Sequence, residues 1–193
     1  MYVYPLELEY RQRGRHLLGS FQYGSLGTIR DRGRVRKESF APRAFRFAVE
    51  SEEHDINLLR GHSFDSPLAS KRAGTLALED TEEALSFDAE LPPEANWPSW
   101  MSDTVLAVRS GLIRGISPGF RIPPASVVPN AEELIPEPGN PGVLIRRVNE
   151  AVLYELSLVT RPVFQDSEIE ARQDETGLSQ VDRPNLERFY RWL

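Results

Sequence analysis

Short apolar segments separated by polar turns run along most of the chain and predict a mainly β fold. The segment 15–28 is apolar and aromatic, with a turn at 31–33 behind it. Three short strands are predicted at 68–73, 75–78 and 84–91, spaced as in a meander. Further strands are predicted at 56–62, at 113–122 and, as a pair, within 143–159. This spacing is typical of a sandwich or a barrel.

Helical spacing of apolar residues interrupts this pattern at three places. The segment 39–49 has Ser39 as a candidate N-cap and Pro42 near the first turn. The segment 96–112 has mixed helical spacing and closes at a glycine. At the end of the chain, one stripe at i, i+3, i+4 and i+7 predicts a short helix; its members are Leu186, Phe189, Tyr190 and Leu193. The fold class expected is therefore α+β, mainly β with a few helices.

The length of 193 residues suits one domain with a tail. We expect a globular domain over 1–170, within which 123–142 forms a mobile loop because it holds six prolines and few apolar residues. The polar stretch 171–184 is expected to be a flexible linker. The final helix, 185–193, is interpreted as a docking element.

The composition argues against several classes of function for this chain. A net charge of −6 argues against a nucleic-acid binder, and the arginine-rich runs 11–15 and 30–37 are interpreted as solvated turns. No apolar run is long enough to cross a bilayer, and the N-terminus lacks the features of a signal peptide, so we expect a cytoplasmic protein. The chain has no cysteine and only three histidines, so we expect no metal and no cofactor.

Without a thiol, covalent catalysis would need a serine with a nearby base, and imidazole is the base best matched to neutral pH. His62 follows a predicted strand and a glycine, where a rigid scaffold can hold a side chain open to solvent. His16 and His54 lie among charged residues and are interpreted as surface residues. His62 is therefore the candidate base.

Two further residues are candidates, each with an alternative. Ser117 is flanked by Gly115 and Gly119, which permit close backbone approach, but Ser-Pro-Gly is also an ordinary turn within a strand. Glu155 is a carboxylate in an otherwise apolar strand, where burial is costly without a partner. It could equally pair with an arginine at a strand edge. The residues alone leave both alternatives open.

Four segments, in this order and spacing, resemble the prohead (capsid maturation) proteases of tailed bacteriophages across about 16–171. They are 38–45, 58–69, 115–120 and 153–162, which contain Ser-Phe-Ala-Pro, Arg-Gly-His, Gly-Ile-Ser-Pro-Gly-Phe and Glu-Leu-Ser. In the first segment Arg43 stands where that family usually has glycine, and Ser70, just after the second segment, lies near a position often occupied by glycine.

The resemblance implies a serine endopeptidase on an antiparallel β-barrel of the herpesvirus assemblin type, surrounded by a few helices. It implies His62 as the base, Ser117 as the nucleophile and Glu155 as the third member. Backbone N–H groups at Gly119 and Phe120, with Arg161 as a further donor, are the expected oxyanion hole.

The resemblance also implies partners and a place of action. The expected substrates are the scaffold, or the scaffold-like segment of the major capsid protein, and then the protease itself. Cleavage would occur inside the assembling prohead in the host bacterial cytoplasm, by a homo-oligomer such as a dimer that binds neither nucleic acid nor membrane. The alternative function is a non-catalytic scaffold or capsid-interaction module on the same barrel.

Overall fold

Strands dominate the fold, as expected for the mainly β, α+β class. The structure, a computed structural model, describes residues 4–5, 9–11, 15–31 and 34–160. The strands are β1 (Tyr4–Pro5), β2 (Glu9–Arg11), β3 (His16–Gln22), β4 (Gly27–Asp31), β5 (Arg34–Phe40), β6 (Asn57–Arg60), β7 (Ser63–Ser70), β8 (Leu76–Asp80), β9 (Ala84–Glu90), β10 (Gly115–Arg121), β11 (Glu132–Glu137), β12 (Asn140–Val148) and β13 (Val152–Val159). The helices are α1 (Arg46–Glu50) and α2 (Ser99–Arg109), with a 3-10 turn at Glu94–Asn96.

The strands form three open sheets. Their orders are β1-β10-β13-β6-β7, β11-β12-β5-β4 and β2-β3-β9-β8. Most neighbours are antiparallel, but β12 pairs with β5 and β13 pairs with β6 in parallel. The expected closed antiparallel barrel is therefore not formed by the described residues. A period of two fixes which side chains share a face, but it does not reveal whether the sheet edges meet, so the sequence pattern could not exclude this arrangement.

One hydrophobic core joins the three sheets and both helices. Phe21 and Phe40 meet edge to face at 5.4 Å, and Phe45 lies 5.1 Å from Phe40. The same cluster includes Leu58 and Leu156 of the five-stranded sheet. The described sheets are thus packed against one another by shared apolar side chains.

The predicted helix at 39–49 is mostly wrong. Ser39 is in β5, where it pairs with Arg147 of β12, and α1 begins only at Arg46. Arg43 has a φ of 58°, in the left-handed region, so a right-handed helix cannot run through it. Glycine adopts this conformation at little cost, which gives a physical reason for the glycine usual at this position in the resembling family.

The predicted loop at 123–142 contains a strand instead. β11 pairs in antiparallel register with β12, with Ile135 opposite Ile145. β11 is an edge strand of its sheet as described, and an edge tolerates Pro136 because a proline there need not donate to a ladder. The high proline content of 123–142 therefore does not prevent this segment from forming a paired strand.

The remaining predicted elements within the described residues are confirmed with shifted ends. The segment 56–62 contains β6, the meander corresponds to β7, β8 and β9, and 96–112 contains α2. Neither described α-helix is long and apolar enough to span a membrane. The predicted linker 171–184 and the predicted helix 185–193 lie outside the described residues.

Candidate active site

The register of β10 and β13 brings two of the three candidate residues onto one face. Ser117 lies opposite Ser157, and Gly119 lies opposite Glu155. Residues directly opposite in an antiparallel pair project on the same side, as do residues two apart along a strand. The side chains of Ser117, Glu155 and Ser157 therefore share one face. Leu156 and Leu158, which alternate with these residues on β13, enter the hydrophobic core on the other face.

His62 reaches this face from the turn after β6. β6 runs parallel to β13 and ends at Arg60; Gly61 and His62 then both have positive φ, 58° and 63°. A non-glycine residue in this region costs on the order of 1 kcal/mol or more, so neighbouring contacts must hold it there. One such contact is the backbone N–H of His62, which donates to Ser157 Oγ at 2.8 Å.

Both carboxylate oxygens of Glu155 take part in hydrogen bonds, and one of these bonds joins β13 to the turn after β6. His62 Nδ1 lies 2.7 Å from Glu155 Oε1, and Ser157 Oγ donates to Glu155 Oε2 at 2.6 Å. The Glu155 side chain is buried, and a buried carboxylate is tolerated when its oxygens accept hydrogen bonds. Since a carboxylate can only accept, the proton of this contact belongs to His62 Nδ1, and in the neutral imidazole Nε2 then carries the lone pair.

Gly119 leaves the space that this carboxylate occupies. A Cβ at position 119 would overlap Glu155 Oε1 and would lie 2.6 Å from Glu155 Cδ and 2.7 Å from Cγ. Such distances are not tolerated, so every other residue here would force the carboxylate away from its partners. Gly119 is therefore needed for the placement of Glu155, a role distinct from the predicted oxyanion contact.

A cleft of about 460 Å³ opens where these residues meet. It is lined by His62, Ser117, Pro118, Gly119, Phe120, Ile122 and Arg146. Ser117 Oγ and His62 Nε2 are both buried atoms, and neither has a hydrogen-bond partner within the part of the chain that the structure describes. Unsatisfied buried polar atoms are rare in folded proteins, and two at one cleft indicate groups kept free for a ligand.

Ser117 and Ser157, which lie opposite each other, differ in the hydrogen bonds of their hydroxyl groups. The Ser157 hydroxyl is fully buried and engaged on both sides, by Glu155 and by the backbone of His62. The Ser117 hydroxyl lies at the floor of the cleft with its proton uncommitted. The geometry therefore suits Ser117 as a nucleophile and does not suit Ser157. Sequence reasoning missed Ser157, although the Glu-x-Ser spacing put it on the face of Glu155.

Sequence reasoning also missed Arg146, which forms one wall of the cleft. Its Nη1 donates to Glu38 Oε2 at 3.0 Å and its Nε to Glu132 Oε2 at 2.5 Å. Partial burial alone would lower the pKa of Arg146, but the hydrogen bonds and charges of Glu132 and Glu38 outweigh it and raise that pKa. The side chain is therefore a fixed cation at the edge of the cleft.

The predicted oxyanion donors are only partly within the described residues. Gly119 and Phe120 both line the cleft, and the register with β13 shifts between them. Such a bulge interrupts the ladder and redirects backbone groups. The Phe120 ring is held against Phe40 at 5.0 Å. Arg161 lies outside the described residues.

Comparison with known proteins supplies a family. A family model described as caudovirus prohead serine protease matches residues 22–181, which is more than half of the 193-residue chain. The matched range contains every element from β4 to β13 and the whole cleft. No curated protein and no solved structure matches the chain.

Proposed function

The chain belongs to the caudovirus prohead serine protease family, and from this premise we propose that Ser117, His62 and Glu155 are its catalytic triad. The family is one of serine proteases of capsid maturation, so the chain is a serine endopeptidase that acts in the assembling prohead. One observation carries the assignment of residues: the hydrogen bond from His62 to Glu155 leaves Nε2 free at the cleft that holds the unpartnered Ser117 hydroxyl.

In this mechanism Ser117 Oγ attacks the carbonyl carbon of the scissile peptide bond. His62 Nε2 takes the proton of Ser117 during the attack and then delivers it to the departing amine, leaving an acyl-enzyme. Water, deprotonated by the same nitrogen, releases the acyl group and restores the Ser117 hydroxyl. Glu155 accepts the Nδ1 proton throughout and stabilises the imidazolium formed in each half-reaction.

The negative charge that develops on the carbonyl oxygen needs donors. We assign this role to the backbone N–H groups of Gly119 and Phe120, because both residues line the cleft beside Ser117. Pro118, which lies between Ser117 and Gly119, has no N–H and cannot contribute. Arg161 remains a proposed further donor.

The proposed substrates are those of capsid maturation. They are the scaffold or the scaffold-like segment of the major capsid protein, and the protease itself, cut inside the prohead in the host cytoplasm. We further propose that the protease works as a homo-oligomer such as a dimer. The relation in fold to the herpesvirus assemblins also stays a prediction, and the described sheets are open and form no closed barrel.

A fluorophosphonate probe, which traps an activated serine, tests the triad. We expect it to label the wild type, not Ser117→Ala, and His62→Ala only very slowly. Cleavage of a peptide substrate should fall by on the order of 10⁶ in either variant, because the pair acts as a unit. Ser110→Ala, which changes an exposed serine after α2, is the control and should behave as wild type.

Two outcomes would contradict this assignment. Peptide cleavage by Ser117→Ala at close to the wild-type rate would remove Ser117 as the nucleophile. No labelling of concentrated, folded wild type would instead favour the alternative of a non-catalytic capsid-interaction module. Circular dichroism of each sample shows whether the variants have kept their fold.

A further inference from the structure

The Ser157 hydroxyl makes two hydrogen bonds whose directions are linked. It accepts the backbone N–H of His62 and stands 2.6 Å from Glu155 Oε2. A serine hydroxyl carries a single proton, and the N–H of His62 contributes its own, so the proton of Ser157 must point at Glu155. The Ser157 hydroxyl therefore favours an acceptor atom on the side of residue 155 that faces it, since a donor there would leave its own buried proton unpaired.

We propose that Ser157 is a positioning residue: its hydroxyl proton holds an acceptor atom of residue 155 on its own side, and the atom of residue 155 left facing His62 determines which imidazole nitrogen carries the proton. The inference rests on the proposed triad and deepens it. With Glu155, both oxygens accept, and the oxygen that faces His62 draws the proton to Nδ1. Nε2 is then the nitrogen with the lone pair, which is the one a general base at the cleft requires.

The consequence is clearest when Glu155 becomes a glutamine. An amide has one oxygen and one NH₂ group, and Ser157 favours the oxygen on its own side, because an NH₂ group there would leave the buried Ser157 proton without an acceptor. The NH₂ group then faces His62 Nδ1 and donates to it, which moves the ring proton to Nε2. In that tautomer the imidazole cannot accept the proton of Ser117.

A double-variant cycle tests this directly. We expect Glu155→Gln to lower kcat by roughly 10³ to 10⁴, near the loss known for a wrong tautomer, and Ser157→Ala by about tenfold. Without the Ser157 hydroxyl the amide can turn its oxygen toward His62. The double variant Glu155→Gln/Ser157→Ala should therefore be at least tenfold faster than Glu155→Gln alone, with KM little changed.

Nitrogen NMR of labelled imidazole gives a readout that does not depend on activity. The chain has only three histidines, so His62 can be assigned by substitution. We expect the proton on Nδ1 in the wild type, on Nε2 in Glu155→Gln, and on Nδ1 again in the double variant. Wild-type labelling by the fluorophosphonate probe checks the triad separately from the tautomer.

Two results would overturn the role of Ser157. One is a double variant that is as slow as Glu155→Gln or slower, with the two losses multiplying. The other is an Nδ1 proton in folded Glu155→Gln. Ser157→Thr, which keeps a hydroxyl, should be faster per folded molecule than Ser157→Ala, and equal rates would also count against the proposal.

A second, independent observation concerns the β11–β12 hairpin. A groove of about 830 Å³ runs over it, and Arg146 lines both this groove and the cleft of Ser117. Leu134 lies opposite Arg146 on β11, and Leu144 is two residues from Arg146 on β12. All three side chains therefore share one face, with Leu144 about 7 Å along the strand from Arg146. The groove thus continues the cleft.

We infer that this groove holds an extended segment of the polypeptide substrate and selects apolar side chains in it. Leu134 and Leu144 are 67% and 51% exposed, so their apolar surface is available to a ligand. The charges beside them are already paired, Lys37 with Glu137 and Arg146 with Glu132. Since Arg146 also meets Glu38, two carboxylates face one guanidinium, and an acidic substrate side chain would be repelled.

Digestion of a proteome-derived peptide library tests the inference. The wild type should select an apolar residue about two positions further from the scissile bond than the residue beside Arg146, since i and i+2 lie on one face. Leu134→Ser/Leu144→Ser should lose this selection, and kcat/KM for a selected peptide should fall roughly 10- to 100-fold. Leu112→Ser is the matched control, because Leu112 is also 67% exposed and lies outside the groove.

The possible outcomes distinguish a failure of the groove inference from a failure of the triad assignment. Failure of the wild type to react with the fluorophosphonate probe would count against the triad. A reactive wild type whose cleavage profile is the same as that of the double leucine variant would contradict the groove alone. A change of oligomeric state in that variant, with an unchanged cleavage profile, would show that the face contacts a second copy instead.

Discussion

Glu155 contributes to the site by the two hydrogen bonds that it accepts, and removing its charge separates a catalytic from a structural role. Glu155→Gln should lower the maximal rate by a factor of roughly 10³ to 10⁴ and leave KM little changed, because the amide stabilises imidazolium less and favours the wrong tautomer. Rate and melting temperature should be measured on the same sample. A lowered melting temperature with a full rate per folded molecule would remove Glu155 from the triad.

Gly119 is important for the site because it has no Cβ. Gly119→Ala should lower the rate roughly 100-fold, since displacing the Glu155 carboxylate by about 1 Å misorients His62. Gly19→Ala is the matched control: its Cβ would meet the Phe87 ring at 2.7 Å and Ile116 Cδ1 at 3.2 Å, and neither of these core residues lines the cleft. We expect that control to lose stability and to keep its rate per molecule, counted by titration with the fluorophosphonate probe. Equal rate losses in both variants would contradict the specific role of Gly119.

At the scale of elements, Asp55 holds the turn that joins β7 to β8. Ser70 Oγ and the backbone N–H of Arg72 each donate to Asp55 Oδ1 at 2.9 Å. Partial burial would raise the pKa of Asp55, but these hydrogen bonds and the charge of Arg72 outweigh it and lower that pKa. The stabilisation by Asp55 is therefore present above the unfolded-state pKa and is lost as the pH falls through the folded-state pKa.

Asp55→Asn should therefore lower the free energy of unfolding at pH 7 by about 0.5 kcal/mol, because water screens this partly exposed carboxylate, and the difference from wild type should shrink as the pH falls below about 4. Urea titrations at several pH values measure it. Asp65→Asn, at an exposed position in β7, is the control and should change stability little at any pH. A difference that stays constant down to pH 2 would show that the charge of Asp55 is not involved.

Sequence patterns predicted those elements that are set by local periodicity. The strand ending before His62, the meander and α2 follow from apolar spacing, and each is confirmed. The helix predicted from Ser39 fails because Ser39 is held by pairing with β12 and because Arg43 adopts a left-handed conformation. Neither long-range pairing nor a positive φ at an arginine is visible in local spacing.

For the candidate site too, the sequence identified single residues but not the long-range pairing that brings them together. Resemblance to a family pointed to His62, Ser117 and Glu155 as separate segments, and their meeting depends on the register of β10 with β13. Ser157 was missed because its role comes from facing both Glu155 and the His62 backbone. Arg146 was missed because its strand approaches the cleft through a different sheet.

At the scale of the whole molecule, the three sheets share one hydrophobic core, which predicts a single cooperative unfolding transition. Leu85, fully buried in β9, belongs to this core without lining the cleft. Leu85→Ala should therefore lower the free energy of unfolding by about 2 to 5 kcal/mol, through lost burial and the cavity left behind. Probe labelling of Ser117 and circular dichroism should report one shared midpoint in urea, shifted equally in the variant. If the sheet that carries Leu85 unfolds at lower urea while Ser117 still reacts, the site and that sheet are separate folding units, and the assignment of one domain is wrong.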